Sequence, residues 1–567
     1  MPSPFGHLIP TPRLIDIDRY AEENPLEVEA FASQNRYMNW IGELQALALP
    51  NKDFHLQLGP AEFDLTDIMR AELKIEGGRT LNNLRVAQHI AEKYSAQRVF
   101  IYQKGHSNKG PEIARLVADR TQSRITRLWS ESQNIPLELR HFAYVHKQRL
   151  KRRLQRRGPQ FRRTIDQHVP ILAIPRESSH LLDIQSVTDV LAEKYNLSTG
   201  FVICNPELET SILARQSLFH YIDEEAPLVL RNLKKVRRFL LKNGFEVGDF
   251  DQDEVHAMIR TCLGVLRRSL PEIIRFARSL SELINRISPK LVMVGNPCTM
   301  EGRISASLAK AYGATAIAIE HGTIRANDPN WSNFMLDRFF AWGAPSQRSL
   351  IGSGVNDSAI TIAGSPRMDR IVSDTMKAKS KEDPCILVAT SGPGNQVSEA
   401  EHRRFIKMLY HAVDRSPHIR WRVKLHRKDR VSFYERPEGI PANVEIIEGK
   451  YGQQGHDIFY YLTKARALLT VVSTSALDAM LVQVPVISAD VRENATDEAN
   501  SIEFINRGAT FAVHSADELL DMSSRLWNEQ LDPKIIEAAN NYIQEHYVNL
   551  GSAAETIAKH INQLVET

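Results

Sequence analysis

Residues 290–323 read KLVMVGNPCTMEGRISASLAKAYGATAIAIEHGT. The apolar run 290–296 predicts a strand, the spacing from Arg303 to Tyr312 a helix, and 314–320 a second strand. Strand, helix and strand in succession imply a parallel pair joined by a crossover, the unit of a doubly wound α/β sheet. The second strand runs directly into Glu320-His321-Gly322-Thr323. Upstream, VPILAIP (169–175), a polar loop from Arg176 to His180, a helix from Ile184 to Lys194 and GFVIC (200–204) repeat the pattern. Between these pieces, 207–288 reads almost wholly helical, with one apolar face recurring mainly every three or four residues from Val255 to Ile287. Downstream the alternation resumes with RFFAWG (338–343), AITIAGSP (359–366) and ILVATSGPGN (386–395), then WRVKLHRKD (421–429), VEIIEGK (444–450) and ALLTVVS (467–473), closing on VPVISA (484–489). The segment from Pro533 to Val565 reads as helix able to cross back over the first sheet.

The chain has 567 residues, enough for several sizeable cores, with 43% apolar and 25% charged residues. That balance, with Gly 28 and Pro 27, excludes a collagen-like or low-complexity body. A net charge of only +3 means that an anionic partner must be met by local patches. The four cysteines at 204, 262, 298 and 385 lack the short spacings of a zinc site or redox pair and suit a reducing compartment. Residues 1–13, MPSPFGHLIPTPR, do not have the apolar core of a secretory leader, so the expected location is cytoplasmic. Ala467 to Ala489 is the longest run resembling a membrane span, but Asp478, Gln483 and Pro485 argue for strand, turn, helix and strand. These readings predict an N-terminal accessory α/β domain at 1–145, in which Gly77-Gly78 precedes a helix, and a basic linker at 146–167. Two parallel-sheet domains follow, 168–327 with the helical insertion 207–288, then 328–545, and a C-terminal helix occupies 546–567.

Parallel sheets bind ligands at the carboxyl ends of their strands, so the residues just past each strand carry the information. Here they are Asn296; His321-Gly322-Thr323; Ser391-Gly392-Pro393-Gly394; His426-Arg427-Lys428; and Ser473-Thr474-Ser475. A strand ending in small hydroxyl residues and entering a helix suits a phosphate, although Ser473 acting merely as an N-cap explains a serine equally well. His426 with Lys424, Arg427 and Lys428 suits a diphosphate; the bland alternative is an exposed polar loop. His321 is a candidate general base for a sugar or polyol hydroxyl, with a packing histidine as the alternative. Arg176, His180, Asn296 and Arg325 fall on the acceptor side.

The order Glu320-His321-Gly322-Thr323, Trp342-Gly343, Gly364-Ser365-Pro366-Arg367-Met368-Asp369, Lys424-Leu425-His426 and Ser473-Thr474 with Asp478 and Pro485 resembles the GT-B glycosyltransferases of bacterial surface polysaccharides. It is most similar to the clan of CDP-glycerol glycerophosphotransferases, polysialyltransferases and capsule Kdo transferases. The likeness covers 290–490 and, more loosely, 168–205. It implies an α/β GT-B fold, two Rossmann-like domains facing across a cleft, with the N-terminal α/β region and the helical insertion as additions. It implies a catalytic role for His321, grouped here with Glu320. Donor binding falls to Lys424, His426, Arg427, Ser473, Thr474, Ser475, Asp478, Ser391, Gly392 and Arg367. Two features depart from the clan: Arg427 stands where proline follows the histidine, and IRANDPNW after Thr323 lacks the lysines of the teichoic acid enzymes.

The expected activity is an inverting, metal-independent transferase that needs no cofactor. It would build a capsule or other cell-envelope polysaccharide, or a glycolipid, from a nucleotide-sugar or polyol-phosphate donor onto a glycan or lipid-linked acceptor. A non-hydrolysing UDP-sugar 2-epimerase and an inactive GT-B scaffold are the rivals. The stretch 146–163, HKQRLKRRLQRRGPQFRR, with nine Lys or Arg, is either a solvated linker or a patch for an anionic membrane surface. Its single aromatic residue, Phe161, argues against nucleic acid.

Overall fold

The computed structural model describes 30–48, 55–58, 60–93, 98–101, 124–127, 165 and 168–566, except for 205–207, 209–217, 222–229, 245, 247–249, 323, 325–327, 332, 379–382, 393–396, 398, 427–428, 449–457, 472 and 492–502. The basic stretch 146–163, Thr323, Arg325 and Arg427 therefore lie outside the described residues.

Strands β1 (His55–Leu58) and β2 (Ala61–Asp64) form an antiparallel ribbon, and β3 (Arg98–Ile101) pairs in parallel with β4 (Arg124–Arg127). The first large sheet contains β5 (Ile171–Ile174), β6 (Thr199–Ile203), β7 (Leu218–Tyr221), β8 (Leu291–Val294), β9 (Thr315–Ile319), β10 (Arg338–Ala341) and β11 (Ile360–Ile362). Its spatial order is β11-β10-β9-β8-β5-β6-β7, parallel throughout. The second contains β12 (Cys385–Ala389), β13 (Trp421–Lys424), β14 (Val444–Ile447), β15 (Ala465–Thr470), β16 (Val486–Ala489) and β17 (Phe511–Val513), in the order β14-β13-β12-β15-β16-β17 and also parallel. Both are doubly wound α/β sheets, as the sequence predicts. Strand direction of travel reverses between β5 and β8 in the first sheet and between β12 and β15 in the second. A crevice opens at such switch points, outside the carboxyl ends of the strands.

The boundary expected at 327/328 is corrected by the pairing. Strands β10 and β11 hydrogen-bond into the first sheet, so that sheet continues past residue 360. Their alternation looked the same on either side of the crossover, and periodicity does not say which sheet a strand joins. The helical insertion likewise contains a strand, β7, at the sheet's edge.

The N-terminal region is not separate from the first sheet over the residues described. Helix α1 (Ala30–Ala48) packs on α2 (Arg70–Lys93), which runs straight through Gly77-Gly78 instead of starting after them. A Cβ on Gly77 would lie 2.1 Å from the Tyr37 ring, so this glycine permits the close approach of the two helices. Tyr37, Trp40 and Leu73 share one apolar core with the sheet and with the long helix of the insertion. Trp40 Nε1 donates to Gly244 O (3.1 Å), and Arg36 pairs with Glu254 (2.6 Å). Helix α3 (Ser178–Tyr195) covers the opposite face, while α4 (Gln252–Ile287) opens with a capping box between Asp251 and Glu254. Helix α5 (Met300–Ala311) links β8 to β9, and α6 (Ser475–Leu481) links β15 to β16. Ala467–Ala489 is strand, turn, helix and strand as read from sequence, and among the described residues no helix is long and apolar enough to cross a membrane.

The chain end returns as expected. Helix α7 (Pro533–His546) packs on α6 in the second unit, and α8 (Ala553–Glu566) packs on α3 of the first. The connection passes over two glycines. A Cβ at Gly343 would sit 2.2 Å from Glu545 O, and one at Gly364, where φ is +93°, would sit 2.2 Å from Val548 O. Asp369 accepts the N–H groups of Gly551 (2.8 Å), Ala553 (3.2 Å) and Ala554 (3.0 Å), satisfying free donors at the start of α8. The Trp342-Gly343 and Gly364-Ser365-Pro366-Arg367-Met368-Asp369 motifs are thus largely the seat of this crossing segment.

Candidate functional site

At the first switch point, the turn after β8 folds tightly back on α5: a Cβ on Gly302 would fall 1.9 Å from Asn296 O. Asn296 Oδ1 accepts the N–H of Cys298 (3.0 Å), which orients its amide nitrogen toward His321 Nε2 at 3.1 Å. The amide must donate, so Nε2 holds the lone pair and neutral His321 carries its hydrogen on Nδ1. Nδ1 is buried and has no hydrogen-bond partner among the described residues. The ring of His180, buried in the first turn of α3, meets His321 edge-on with centroids 4.4 Å apart. Burial, reinforced by the charges of Arg367 and Arg176 and opposed by Glu177, lowers the His321 pKa to about 4. The imidazole is therefore neutral at physiological pH. Arg176 itself lies 3.6 Å from Glu301.

Arg367, expected among the donor-binding residues, follows β11 and so stands on the first sheet's edge. Its N–H donates to Asp183 Oδ1 (3.2 Å), its Nε lies 4.0 Å from Oδ2, and its guanidinium covers the Trp342 ring at 5.3 Å. Burial pushes the Asp183 carboxyl up to about 6 against the pull of Arg367. The sequence reading missed Asp183, although an acid on the buried side of α3 beside Ile184 and Val187 was a signal.

Glu320 is a correction. The residue is 1% exposed, and both carboxyl oxygens are occupied: Trp342 N–H donates to Oε2 and Ser346 Oγ to Oε1, each at 2.7 Å. Trp342 Nε1 also donates to the Glu320 carbonyl (2.9 Å). Burial raises its carboxyl to about 8 in spite of these bonds. It ties the end of β9 to Trp342 and to the start of the next helix, a scaffolding arrangement in which neither carboxyl oxygen is open.

At the second switch point, Thr390, Ser391 and Gly392 follow β12, with Gly392 in the left-handed region (φ +64°). Lys424 ends β13, and the half-buried His426 donates its N–H to Thr390 Oγ1 (2.9 Å). Ser473 Oγ accepts the N–H of Ser475, the first residue of α6 (3.1 Å), while the cap position is taken by Thr474, whose side chain makes no capping bond. Helix α6 is only seven residues long, and Asp478 is buried within it near the Tyr547 phenol. Thr474 faces across to the first sheet: its Cγ2 would be 4.0 Å from a Cβ on Gly322. The Ser473-Thr474 turn of the second sheet therefore meets the His321-Gly322 turn of the first.

No family model matches the chain, and no curated protein matches it in sequence. Solved structures with a similar trace include the Staphylococcus aureus MnaA–UDP complex, 14% identical over 71% of this chain and 97% of that one, with a TM-score of 0.46. The Neisseria meningitidis UDP-GlcNAc 2-epimerase bound to UDP-GlcNAc is 12% identical over 69% and 99%, with a TM-score of 0.47. Anabaena HepE in complex with UDP and glucose is 11% identical over 70% and 99%, with a TM-score of 0.41.

Proposed function

We propose that this protein is an inverting glycosyltransferase that uses a nucleotide-activated sugar or polyol-phosphate donor to extend a surface polysaccharide or glycolipid. The observation that carries the reading is the meeting of the two switch points, with His321 on one side and the Ser473-Thr474 turn on the other. Neutral His321 has its one lone pair at Nε2, held in the resting state by the Asn296 amide. An acceptor hydroxyl entering between the two groups accepts from Asn296 and gives its proton to Nε2 as its oxygen attacks the anomeric carbon. With a nucleoside-diphosphate sugar, the bond from that carbon to the phosphate oxygen breaks and the nucleoside diphosphate leaves with the electron pair; with a polyol-phosphate donor the same oxygen attacks phosphorus, and the P–O bond to the nucleoside monophosphate breaks instead. Lys424 and the backbone after β12 and β13 face the developing charge. That negative charge also favours the imidazolium, which burial and Arg367 otherwise oppose. An anionic membrane surface remains the proposed partner of 146–163.

The test is a donor panel of UDP-, CDP- and GDP-sugars incubated with short glycan acceptors, with products separated by mass. Extended acceptor plus free nucleoside diphosphate is the expected result. Conversion of the donor to its C2 epimer without acceptor use would assign the site to epimerisation, and an inert donor would make the chain a scaffold. With His321 as base, kcat/KM should stay flat from pH 8 down to pH 5 and fall only toward the lowered pKa of about 4 of the free protein.

A further inference from the structure

The loops after β12 and β13 are tied together by a carboxylate that no motif marks. Asp429 lies three residues past His426, and its side chain has no exposed surface. Its Oδ1 stands 3.2 Å from Nε2 of His402, which comes from the helix Glu399–Arg415. Oδ2 accepts the hydroxyl of Tyr434 at 2.8 Å, Oδ1 accepts the N–H of Arg430 at 2.9 Å, and the Thr390 hydroxyl stands close enough to act on the same carboxylate. Burial pushes the Asp429 carboxyl up, but the bonds from His402, Thr390 and Tyr434 outweigh it and hold it below the ordinary range. It is therefore ionised at neutral pH.

The bonds close on the backbone of His426. Its N–H donates to Thr390 Oγ1 at 2.9 Å, and the N–H of Asp429 donates back to its carbonyl at 2.8 Å. The Tyr434 end is itself held, because the Tyr410 hydroxyl donates to the Tyr434 carbonyl and the His402 ring meets Phe433 and Tyr434 edge-on. A carboxylate removed from water is tolerated only when its oxygens are filled, so each donor is kept where the carboxylate can reach it. One buried group thus ties Tyr434 and the main chain from His426 to Arg430 together, with Thr390 and His402 packed against it.

We propose that Asp429 is the positioning residue of the donor-phosphate loops, holding the main chain at His426 and at Thr390-Ser391-Gly392 in the arrangement that receives the diphosphate of a nucleotide. The proposal rests on the donor reading given above. Asp429 does not touch the ligand; it acts through Thr390 and the backbone of His426.

The experiment compares wild type with Asp429→Asn, Thr390→Val and Thr390→Ser. Calorimetry with UDP, CDP and GDP first identifies the diphosphate that binds, and ligand-observed NMR follows the matching nucleoside. The Asp429→Asn change should weaken the diphosphate about tenfold or more while leaving the nucleoside within twofold, because only the phosphate end depends on the loops. Thr390→Val, which removes the connecting hydroxyl, should reproduce that selective loss, and Thr390→Ser should retain wild-type affinity. The valine variant keeps the test open if the Asp429→Asn chain does not fold. Parallel loss of diphosphate and nucleoside, or unchanged diphosphate affinity in both variants, overturns the proposal. A wild type that binds no diphosphate removes the donor reading, and this proposal falls with it.

Discussion

The two sheets present polar residues at the same kind of place, but they hold them differently. On the first sheet side chains meet one another: Asn296 to His321, His321 against His180, and the Arg367 guanidinium over the Trp342 ring and 4.0 Å from Asp183 Oδ2, although the Arg367 N–H also donates to Asp183. On the second the bonds run through the main chain: His426 N–H to Thr390 and Ser475 N–H to Ser473. Interlocked side chains fix a tautomer and shift pKa values, which suits proton transfer. A braced backbone that leaves Lys424 and His426 half-buried at the rim suits an anion. One fold element, the switch point, is thus specialised twice.

The largest effect that tests this division is expected for His321→Ala. Turnover should fall by about two to four powers of ten, the range for a positioned acid or base, with nucleoside diphosphate affinity unchanged. Equal loss of affinity by calorimetry would place His321 in the donor site and erase the distinction between the edges.

Glu320→Gln separates the chemistry of the first edge from its scaffolding. A carboxyl raised from 4.5 to about 8 holds a proton in the folded chain that the unfolded chain releases, so stability falls as pH rises between those values. At neutral pH that is roughly 3 kcal/mol by the usual free energy per pKa unit. The substituted glutamine keeps an oxygen for Trp342 N–H and offers its amide to Ser346 without this cost. Urea unfolding between pH 6.5 and 8 should show wild type losing stability and the variant remaining level. The depressed histidines, His321 at about 4 and His546 at about 3, change stability only below pH 6.5 and do not interfere. Turnover should change by no more than a few-fold; a larger loss would return Glu320 to catalysis.

A smaller loss is expected for Asp369→Ala, about 1 to 2 kcal/mol for its capping bonds to α8. It should lower the melting temperature and leave nucleotide affinity intact, since Asp369 serves the crossing segment and neither edge.

What the sequence made legible follows from periodicity and strand ends. Alternation located the strands of both sheets except the edge strands β7 and β17, and the residues just past β8, β9, β12, β13 and β15 lie at or beside the switch points. Other features were hidden for physical reasons. Sheet membership of β10 and β11 depends on hydrogen bonds between distant segments, which a local pattern does not carry. The glycines at 343 and 364 entered the sequence reading only as parts of family-like motifs, and they make room for a chain segment that comes much later in the sequence. Glu320 and His321 are adjacent in sequence but bond different neighbours, Trp342 and Ser346 for one and Asn296 for the other, so a shared motif concealed separate surroundings. Asp183 and Asp429 lie inside a helix and a loop with no spacing signature, and only their burial reveals them.

The smallest effect is expected at Ser473, and it bears most directly on the comparison. Its hydroxyl accepts the N–H of Ser475 and lies 3.1 Å from the Ser475 hydroxyl, so its hydrogen bonding is directed to its own turn. Removing it in Ser473→Ala frees one N–H at the start of a two-turn helix, at a cost of about 0.5 to 1 kcal/mol in stability. Affinity for the nucleoside diphosphate should fall by less than about threefold, because water or the ligand can satisfy the freed N–H. Calorimetry decides the matter. A tenfold loss would mean that the serine hydroxyl itself reaches the phosphate, making the second edge a side-chain site like the first, and the division between interlocked side chains and braced backbone would not hold.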